Sequence, residues 1–257
     1  MKKLEKKIKD FASEKGEQTI NVLESLLDYI IGYFDFYGKP VEGWKYRGED
    51  NARFHDMMCI YFDSMNEILT TRTWYDAWGD MFMSLVTNGG GKGQFFTPQN
   101  VCQMMTDVTL NDEPQAKQMT KFGTRVVVSD CACGSSRNLL AAHAKFVDKG
   151  WKHPYLVAED IDLLCCKMSA VNMMTHGCFG EVVCHDTLCE PENVRYGYIV
   201  NETMYPFFQP VPSITRSNEA KDFFCTKLWQ GRNKASEVKE TASERIVKSE
   251  PQQLKLF

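Results

Sequence analysis

The sequence predicts an α/β fold in which a helical N-terminal region precedes an open parallel sheet. Three observations favour this class. Apolar residues recur at helical spacing through residues 1–90, β-branched strands alternate with helices from Thr124 onward, and residues 231–250 are charged and lack aromatic residues. The chain has 257 residues, of which 43% are hydrophobic and 25% charged, so it can bury a core and is not wholly disordered or fibrous.

Three segments before residue 90 repeat apolar residues with the 3.6-residue period of an amphipathic helix. Their apolar positions are Leu23, Leu26, Leu27, Ile30, Ile31 and Phe34; Phe54, Met57, Met58, Tyr61, Met65 and Ile68; and Trp74, Trp78, Met81, Phe82 and Leu85. A glycine-rich run over Asn88–Gly93 then breaks the pattern, so we expect a domain boundary near residue 90.

Strands and helices alternate beyond Thr124, which predicts a parallel sheet with right-handed crossovers. The predicted strands are Arg125–Asp130, Tyr155–Glu159, Glu181–Asp186 and Tyr198–Val200. Few residues remain after the fourth strand, so we expect the sheet to be truncated there.

The end of the chain predicts a tail rather than a packed element. Residues 231–250 contain five Lys or Arg and four Glu but no aromatic residue, so burial cannot offset the entropy of ordering them. The predicted organisation is a helical domain over residues 1–90, an α/β domain over 91–230 and a disordered tail over 231–257.

Composition limits the partners and the location of the chain. The formal net charge is −4, so nucleic-acid binding would need a local basic patch or a second protein. No run approaches the roughly 18 apolar residues of a membrane span, and the charged start leads into no signal-peptide core. We therefore expect a cytoplasmic protein without membrane association. The ten scattered cysteines indicate reduced thiols, and their spacing predicts no metal site.

Polar side chains follow the predicted strands at the point where each strand ends. They are Asp130, Glu159 with Asp160, Asp186 and Asn201. Ligands of open parallel sheets bind at the carboxyl ends of the strands, and a turn of small residues such as 131–136 lets backbone N–H groups approach a ligand closely. Asp160 is placed to accept hydrogen bonds from ribose hydroxyls. The alternative is that these acids only cap the helices that follow them.

Four sequence elements resemble those of N6-adenine DNA methyltransferases, in particular the methylation subunits of type I restriction-modification systems. Residues 93–98 read G-Q-F-F-T-P, and residues 130–136 read D-C-A-C-G-S-S where that family has D-P-A-C-G-S-G. Residues 158–162 are similar to the family's G-x-E-I-D, and His185–Leu188 is similar to its G-D-T-L. The resemblance implies a Rossmann-like class I methyltransferase domain.

The resemblance also implies S-adenosylmethionine as cofactor. Asp160 would hold the ribose, Ile161 would lie against the adenine face, and Asp186 would accept from the adenine amine. The residues implied around the methionine end of the cofactor are Phe95, Thr97, Pro98, Asp130, Ala132 and Gly134.

The catalytic element departs from the family pattern. The family's fourth strand ends in N-P-P-[FY], whose Asn accepts from the target amine and whose aromatic residue stacks on the flipped base. Here Asn201 is kept, both prolines are replaced, and Tyr205 or Phe207 would have to stack. Three functions remain open: an N6-adenine DNA methyltransferase or restriction-modification subunit, an inactive cofactor-binding partner subunit or anti-restriction decoy, and a methyltransferase for RNA or protein.

The final residues resemble the Q-L-x-L-F peptide that docks bacterial proteins on the DNA sliding clamp. The matching residues are Gln253, Leu254, Leu256 and Phe257. Apolar anchors at the end of a mobile tether suit a hydrophobic groove on a partner, although five residues can also match by chance. The implied partners are thus DNA, a specificity subunit and the sliding clamp.

Overall fold

The computed structural model describes residues 1–36, 38, 41, 43–86, 95–189, 193–202 and 212–226. Except for Trp74, the residues of the predicted apolar stripes lie in helices, and most of their side chains are buried, which confirms the helical character of the N-terminal region. The helices before the sheet are α1 (Lys2–Lys15), α2 (Thr19–Phe34), α3 (Gly48–Leu69), α4 (Ala77–Val86) and α5 (Gln99–Thr109). Among the described helices, none is long and apolar enough to cross a membrane.

A two-stranded antiparallel hairpin precedes a five-stranded sheet. The hairpin is formed by β1 (Gln118–Thr120) and β2 (Gly123–Arg125). The sheet has the order β3-β4-β5-β6-β7. Its strands are β3 (Val127–Asp130), β4 (Tyr155–Asp160), β5 (Phe179–Cys184), β6 (Tyr196–Val200) and β7 (Ile214–Ser217).

The first three strands of the sheet form the parallel unit that the sequence predicts. Helix α6 (Arg137–Asp148) connects β3 to β4, and α7 (Leu163–Thr175) connects β4 to β5. In this register Asp130 lies opposite Ala158, and Asp160 lies opposite Cys184. The carboxyl ends of the three strands therefore meet at one edge, which we call the carboxyl edge.

The fourth strand corrects the prediction of an all-parallel sheet. Strand β6 runs antiparallel to β5, with Gly180 opposite Val200, and β7 pairs antiparallel with β6 as a fifth strand. The prediction that the sheet stops after four strands was therefore also wrong. A parallel crossover takes a dozen or more residues and is usually helical, whereas only residues 185–195 separate β5 from β6. The end of β6 consequently lies away from the carboxyl edge.

Both faces of the sheet are covered in the described residues. One continuous cluster of buried side chains joins the N-terminal helices, α6, α7 and one face of the sheet, and Tyr61 and Trp78 are among its largest members. A smaller cluster, including Phe122, Tyr155 and Phe223, covers the other face. The N-terminal helices thus support the sheet directly. The predicted tail, with its clamp-like peptide, lies outside the described residues.

Candidate functional site

Three acids lie at or just beyond the carboxyl edge. Asp130 ends β3, Asp160 ends β4, and Asp186 follows β5 by two residues. All three side chains are half-buried. The backbone N–H of His185 donates to the Asp160 carbonyl across 3.0 Å, so the segment that carries Asp186 is attached to the end of β4. The structure therefore brings the three predicted acids to the same edge.

Asp160 joins the small-residue loop, residues 131–136, to the end of β4. Its Oδ2 accepts from the backbone N–H of Gly134 across 2.9 Å, and its Oδ1 accepts from that of Asp162 across 2.9 Å. A second link runs from the N–H of Cys133 to the Glu159 carbonyl, also at 2.9 Å. Two of the sequence elements that the sequence analysis identified are thus held against each other.

Asp130 and Asp186 each brace their own turn. Asp130 accepts from the N–H of Ala132 across 3.1 Å and from Asn138 Nδ2 across 3.2 Å. Asp186 Oδ1 accepts from the N–H of Leu188 across 3.0 Å, and this bond holds the pKa of Asp186 below its ordinary value. The acids therefore brace turns, whereas the alternative interpretation expects them to cap the following helices, and the N-cap residues of α6 and α7 are Ser136 and Asp162. A carboxylate has about four acceptor positions, so each can still receive a ligand's hydrogen bond.

The upstream aromatic element packs on the same loop. Gly134 has φ +55°, and a Cβ placed there would lie 2.8 Å from two ring carbons of Phe96. Arg137 Nη1 donates to the Thr97 carbonyl across 3.0 Å. Phe95, Thr97 and Pro98 are exposed beside this contact, and Phe95 is 79% exposed. Sequence reasoning missed Phe96, whose ring needs a glycine at position 134.

A buried ion pair holds the loop against the N-terminal helices. Arg137 Nε lies 2.7 Å from Asp76 Oδ2, and Arg137 Nη2 lies 2.7 Å from Asp80 Oδ1. Asn172 Nδ2 donates to Asp76 Oδ1 across 2.7 Å. Sequence reasoning missed this network, although one signal was present. A cation in the first turn of α6 opposes the helix dipole, which indicates an acidic partner elsewhere in the chain.

Exposed apolar side chains flank the three acids. Ile161, which directly follows Asp160, is 59% exposed. Leu188, two residues after Asp186, is 91% exposed. Ala132 is also exposed, in the loop beside Asp130. Carboxylates can accept from ribose hydroxyls and from an amine, and apolar surface suits a purine ring. The residues of the carboxyl edge therefore offer the hydrogen-bond acceptors and the apolar surface that a nucleoside needs.

Asn201 lies at the other end of the sheet. It follows β6, whose last residue is opposite Gly180 near the start of β5, so the expectation that Asn201 joins the acids was wrong. Its buried amide donates to the carbonyls of Met174, across 3.3 Å, and Cys178, across 2.8 Å, and it accepts from the N–H of Ser213 across 3.2 Å. The antiparallel direction of β6 is the physical reason. Tyr205 and Phe207 lie outside the described residues.

A separate cavity of about 890 Å³ lies between α2 and the β6–β7 side of the sheet. Its charged lining residues pair with one another, since Lys167 Nζ lies 2.9 Å from Asp28 and Arg216 bonds Asp35. These groups stabilise the contact between the N-terminal helices and the sheet. The cavity contains none of the predicted cofactor residues, and we assign it no role in binding.

Comparison with known proteins supplies the family. The alternation of strands and helices, with acids and the small-residue loop at one edge, is typical of an open α/β sheet, a class whose ligands bind at the carboxyl ends of the strands. A family model described as N-6 DNA methylase matches residues 75–209, which is more than half of the chain. The chain therefore belongs to the N-6 DNA methylase family. Searches of curated proteins and of solved structures found no match.

Proposed function

We propose that this chain binds S-adenosylmethionine at the carboxyl edge of β3, β4 and β5. The observation that carries the proposal is the hydrogen bond from the N–H of Gly134 to Asp160 Oδ2. This bond joins the acid that is proposed to bind the ribose to the small-residue loop. Membership of the N-6 DNA methylase family, whose members generally use this cofactor, supports the same ligand.

Each residue of the edge has a role that its surroundings allow. Asp160 accepts from the ribose hydroxyls with its remaining lone pairs, and the exposed Ile161 covers the adenine ring. Asp186, whose lowered pKa keeps it ionised, accepts from the adenine amine. The bound cofactor supplies a methyl group on a positively charged sulfur. The residues proposed for its methionine end are Phe95, Thr97, Pro98, Asp130, Ala132 and Gly134.

Two functions can follow from this binding site. Methylation of adenine N6 in DNA is favoured by the family match. Cofactor binding without turnover, as a partner subunit or anti-restriction decoy, is favoured by Asn201, whose amide is buried and fully engaged by the backbone. We regard the second function as better supported, because Asn201 is fully buried at the end of the sheet opposite the carboxyl edge and so does not reach a target base held beside the cofactor. In both cases the proposed partners are DNA and a specificity or partner subunit, and the proposed location is the cytoplasm.

Calorimetric titration of the full chain with S-adenosylmethionine tests the shared premise. The Asp160→Ala variant should weaken binding by roughly 10- to 100-fold, because it removes hydrogen bonds to a charged acceptor. Asp162→Ala is the matched control, since Asp162 also accepts a backbone N–H but caps α7 instead of facing the ligand. Equal affinity in the wild type and Asp160→Ala would overturn the assignment.

Transfer of a tritiated methyl group to unmethylated genomic DNA separates the two functions. We expect no transfer above background from the wild type. If the wild type does transfer methyl groups, and folded Asn201→Ala and Asn201→Gly variants do not, the inactive assignment is wrong and Asn201 is catalytic. Transfer that persists in both variants would also overturn the inactive assignment, and would place the chemistry on another residue.

A further inference from the structure

A second cluster of chemically reactive side chains lies in the interior, next to the carboxyl edge. Glu159, His185 and Cys225 each offer one potential metal-ligand atom, and these atoms lie within 4.8 Å of one another. All three residues are at most 2% exposed. We propose that Glu159, His185 and Cys225 bind one zinc ion.

His185 faces Glu159 with one ring nitrogen and leaves the other without a partner. Its Nε2 lies 2.8 Å from Glu159 Oε1, and its Nδ1 has no hydrogen-bond partner among the described residues. The side chain is fully buried. Nε2 is therefore the nitrogen that can share an ion with Glu159, and imidazole nitrogen is a preferred ligand of zinc. When Nε2 binds the ion, the ring proton lies on Nδ1.

Backbone hydrogen bonds to Glu181 fix the position of Cys225. The N–H of Cys225 donates to Glu181 Oε1 across 2.6 Å, and the N–H of Phe224 donates to Glu181 Oε2 across 2.7 Å. The hydroxyl of Tyr155 donates to the same Oε2 across 2.6 Å. Glu181 therefore anchors the segment 223–226 to the sheet. This anchoring presents Cys225 to the cluster as a preorganised ligand.

The donor set matches the coordination chemistry of zinc. Thiolate sulfur, imidazole nitrogen and carboxylate oxygen are the three ligand types that zinc takes in proteins, at about 2.0–2.3 Å in tetrahedral geometry. Bonds of that length place ligand atoms about 3.3–3.6 Å apart, which is within the spacing of the cluster. A thiolate and a carboxylate together neutralise the double positive charge, so the ion and its three ligands together carry no net charge. Binding releases the thiol proton to solvent, and a water completes the fourth position.

The proposed ion would stabilise the carboxyl edge by linking the ends of β4 and β5. Glu159 directly precedes Asp160, and His185 directly precedes Asp186, so two zinc ligands neighbour two residues of the proposed cofactor site. Cys225 comes from the segment after β7. The sequence spacing predicted no metal site because the three ligands come from distant segments. This inference does not depend on the proposed function, since it rests on a different set of side chains.

Metal analysis of the full chain tests the proposal. Purified protein is stripped with a chelator, incubated with zinc chloride alone and desalted, and its zinc content is measured by mass spectrometry. We expect an equimolar amount of zinc in the wild type and in Cys178→Ser, a control that alters another buried cysteine outside the cluster. We expect at least a tenfold loss of retained zinc in Cys225→Ser. A wild type that retains no zinc, or a Cys225→Ser variant that retains as much as the wild type, would overturn the proposal.

X-ray absorption at the zinc edge of the wild type provides a test that needs no variant, in case Cys225→Ser fails to fold. The expected first coordination shell contains one sulfur and otherwise nitrogen or oxygen. A shell without sulfur, or with more than one sulfur, would contradict the assignment. Replacement of zinc by cobalt should give a thiolate-to-cobalt charge-transfer band. The absence of that band in the cobalt-loaded protein would also contradict the assignment.

Discussion

Arg137 Nε lies 2.7 Å from Asp76 Oδ2, and this buried ion pair connects the start of α6 to the segment before α4. Asp76 also accepts from the N–H of Gly79 across 2.8 Å and from Asn172 on α7. Through Asp76, the N-terminal helices and α7 therefore both stabilise the position of the small-residue loop. The family match begins at residue 75, directly before this acid.

Neutralising Asp76 should destabilise the protein strongly. Asp76→Asn leaves the Arg137 charge buried with only Asp80 beside it, and breaking a buried pair in this way costs about 3 kcal/mol. Asp80→Asn is the matched control, because the Asp80 side chain is 41% exposed and its pair should contribute at most about 1 kcal/mol. The free energies of unfolding in urea check both values. An equal decrease in the free energy of unfolding for the two variants would show that the buried ion pair does not stabilise the fold more than the exposed one.

Adding a methyl group at Gly134 should disturb the loop through Phe96. Gly134→Ala combines a positive φ, which costs about 1–2 kcal/mol, with a contact of 2.8 Å to the Phe96 ring. Gly150→Ala isolates the first effect, because Gly150 has φ +66° and nothing within 4 Å of a built Cβ. We expect Gly134→Ala to cost about 1–3 kcal/mol more than Gly150→Ala, as overpacking does. Similar melting curves for the two variants would exclude tight packing of Phe96 on the loop.

Asn201 should affect stability more than ligand binding. Asn201→Ala removes three side-chain hydrogen bonds and leaves two buried carbonyls with fewer donors, for an expected loss of about 2–4 kcal/mol. Because Asn201 has φ +59°, Asn201→Gly should be less destabilising than Asn201→Ala by about 1 kcal/mol. Urea unfolding and cofactor titration of both variants provide the measurements. An unchanged stability combined with lost cofactor binding would place Asn201 in the ligand site instead.

Stability should fall as the pH drops below about 6.5, with His143 as one cause. Burial, and then the nearby His153, lower the pKa of His143 to about 3. An unfolded histidine has a pKa of about 6.5, so the unfolded chain binds the proton first and the stabilisation is lost progressively as the pH falls from about 6.5 toward about 3.

Measurement of unfolding at two pH values isolates this contribution. Between pH 7 and pH 5 the single group should account for about 2 kcal/mol of lost stability. His143→Gln should reduce the loss by that amount. An identical pH dependence in the wild type and His143→Gln would show that His143 is not buried in its neutral form.

Local patterns predicted much of the fold, and non-local pairing accounts for the errors. The helical stripe from Leu23 to Phe34 depends on neighbouring residues alone, and it lies within α2. The direction of β6 depends on what its residues pair with, and the apolar run at Tyr198–Val200 is compatible with either direction. The expectation of a parallel β6 placed Asn201 at the wrong end of the sheet.

The site was predicted to the extent that its residues follow strand ends. The position of Asp130 and Asp160 at the carboxyl edge was predicted because each ends a short apolar run that indicates a strand. Asp76 was not found, because its partner Arg137 is 61 residues away and only the fold brings the two together. The proposed zinc ligands share this property, since no two of them are close in the sequence.

Hydrogen–deuterium exchange of the full chain, with and without saturating S-adenosylmethionine, tests the location of the cofactor site most directly. We expect slower exchange over residues 130–136, 159–162 and 185–188, with no comparable change around Asn201. Protection confined to the segments around Asn201, or no protection anywhere, would contradict binding at the carboxyl edge.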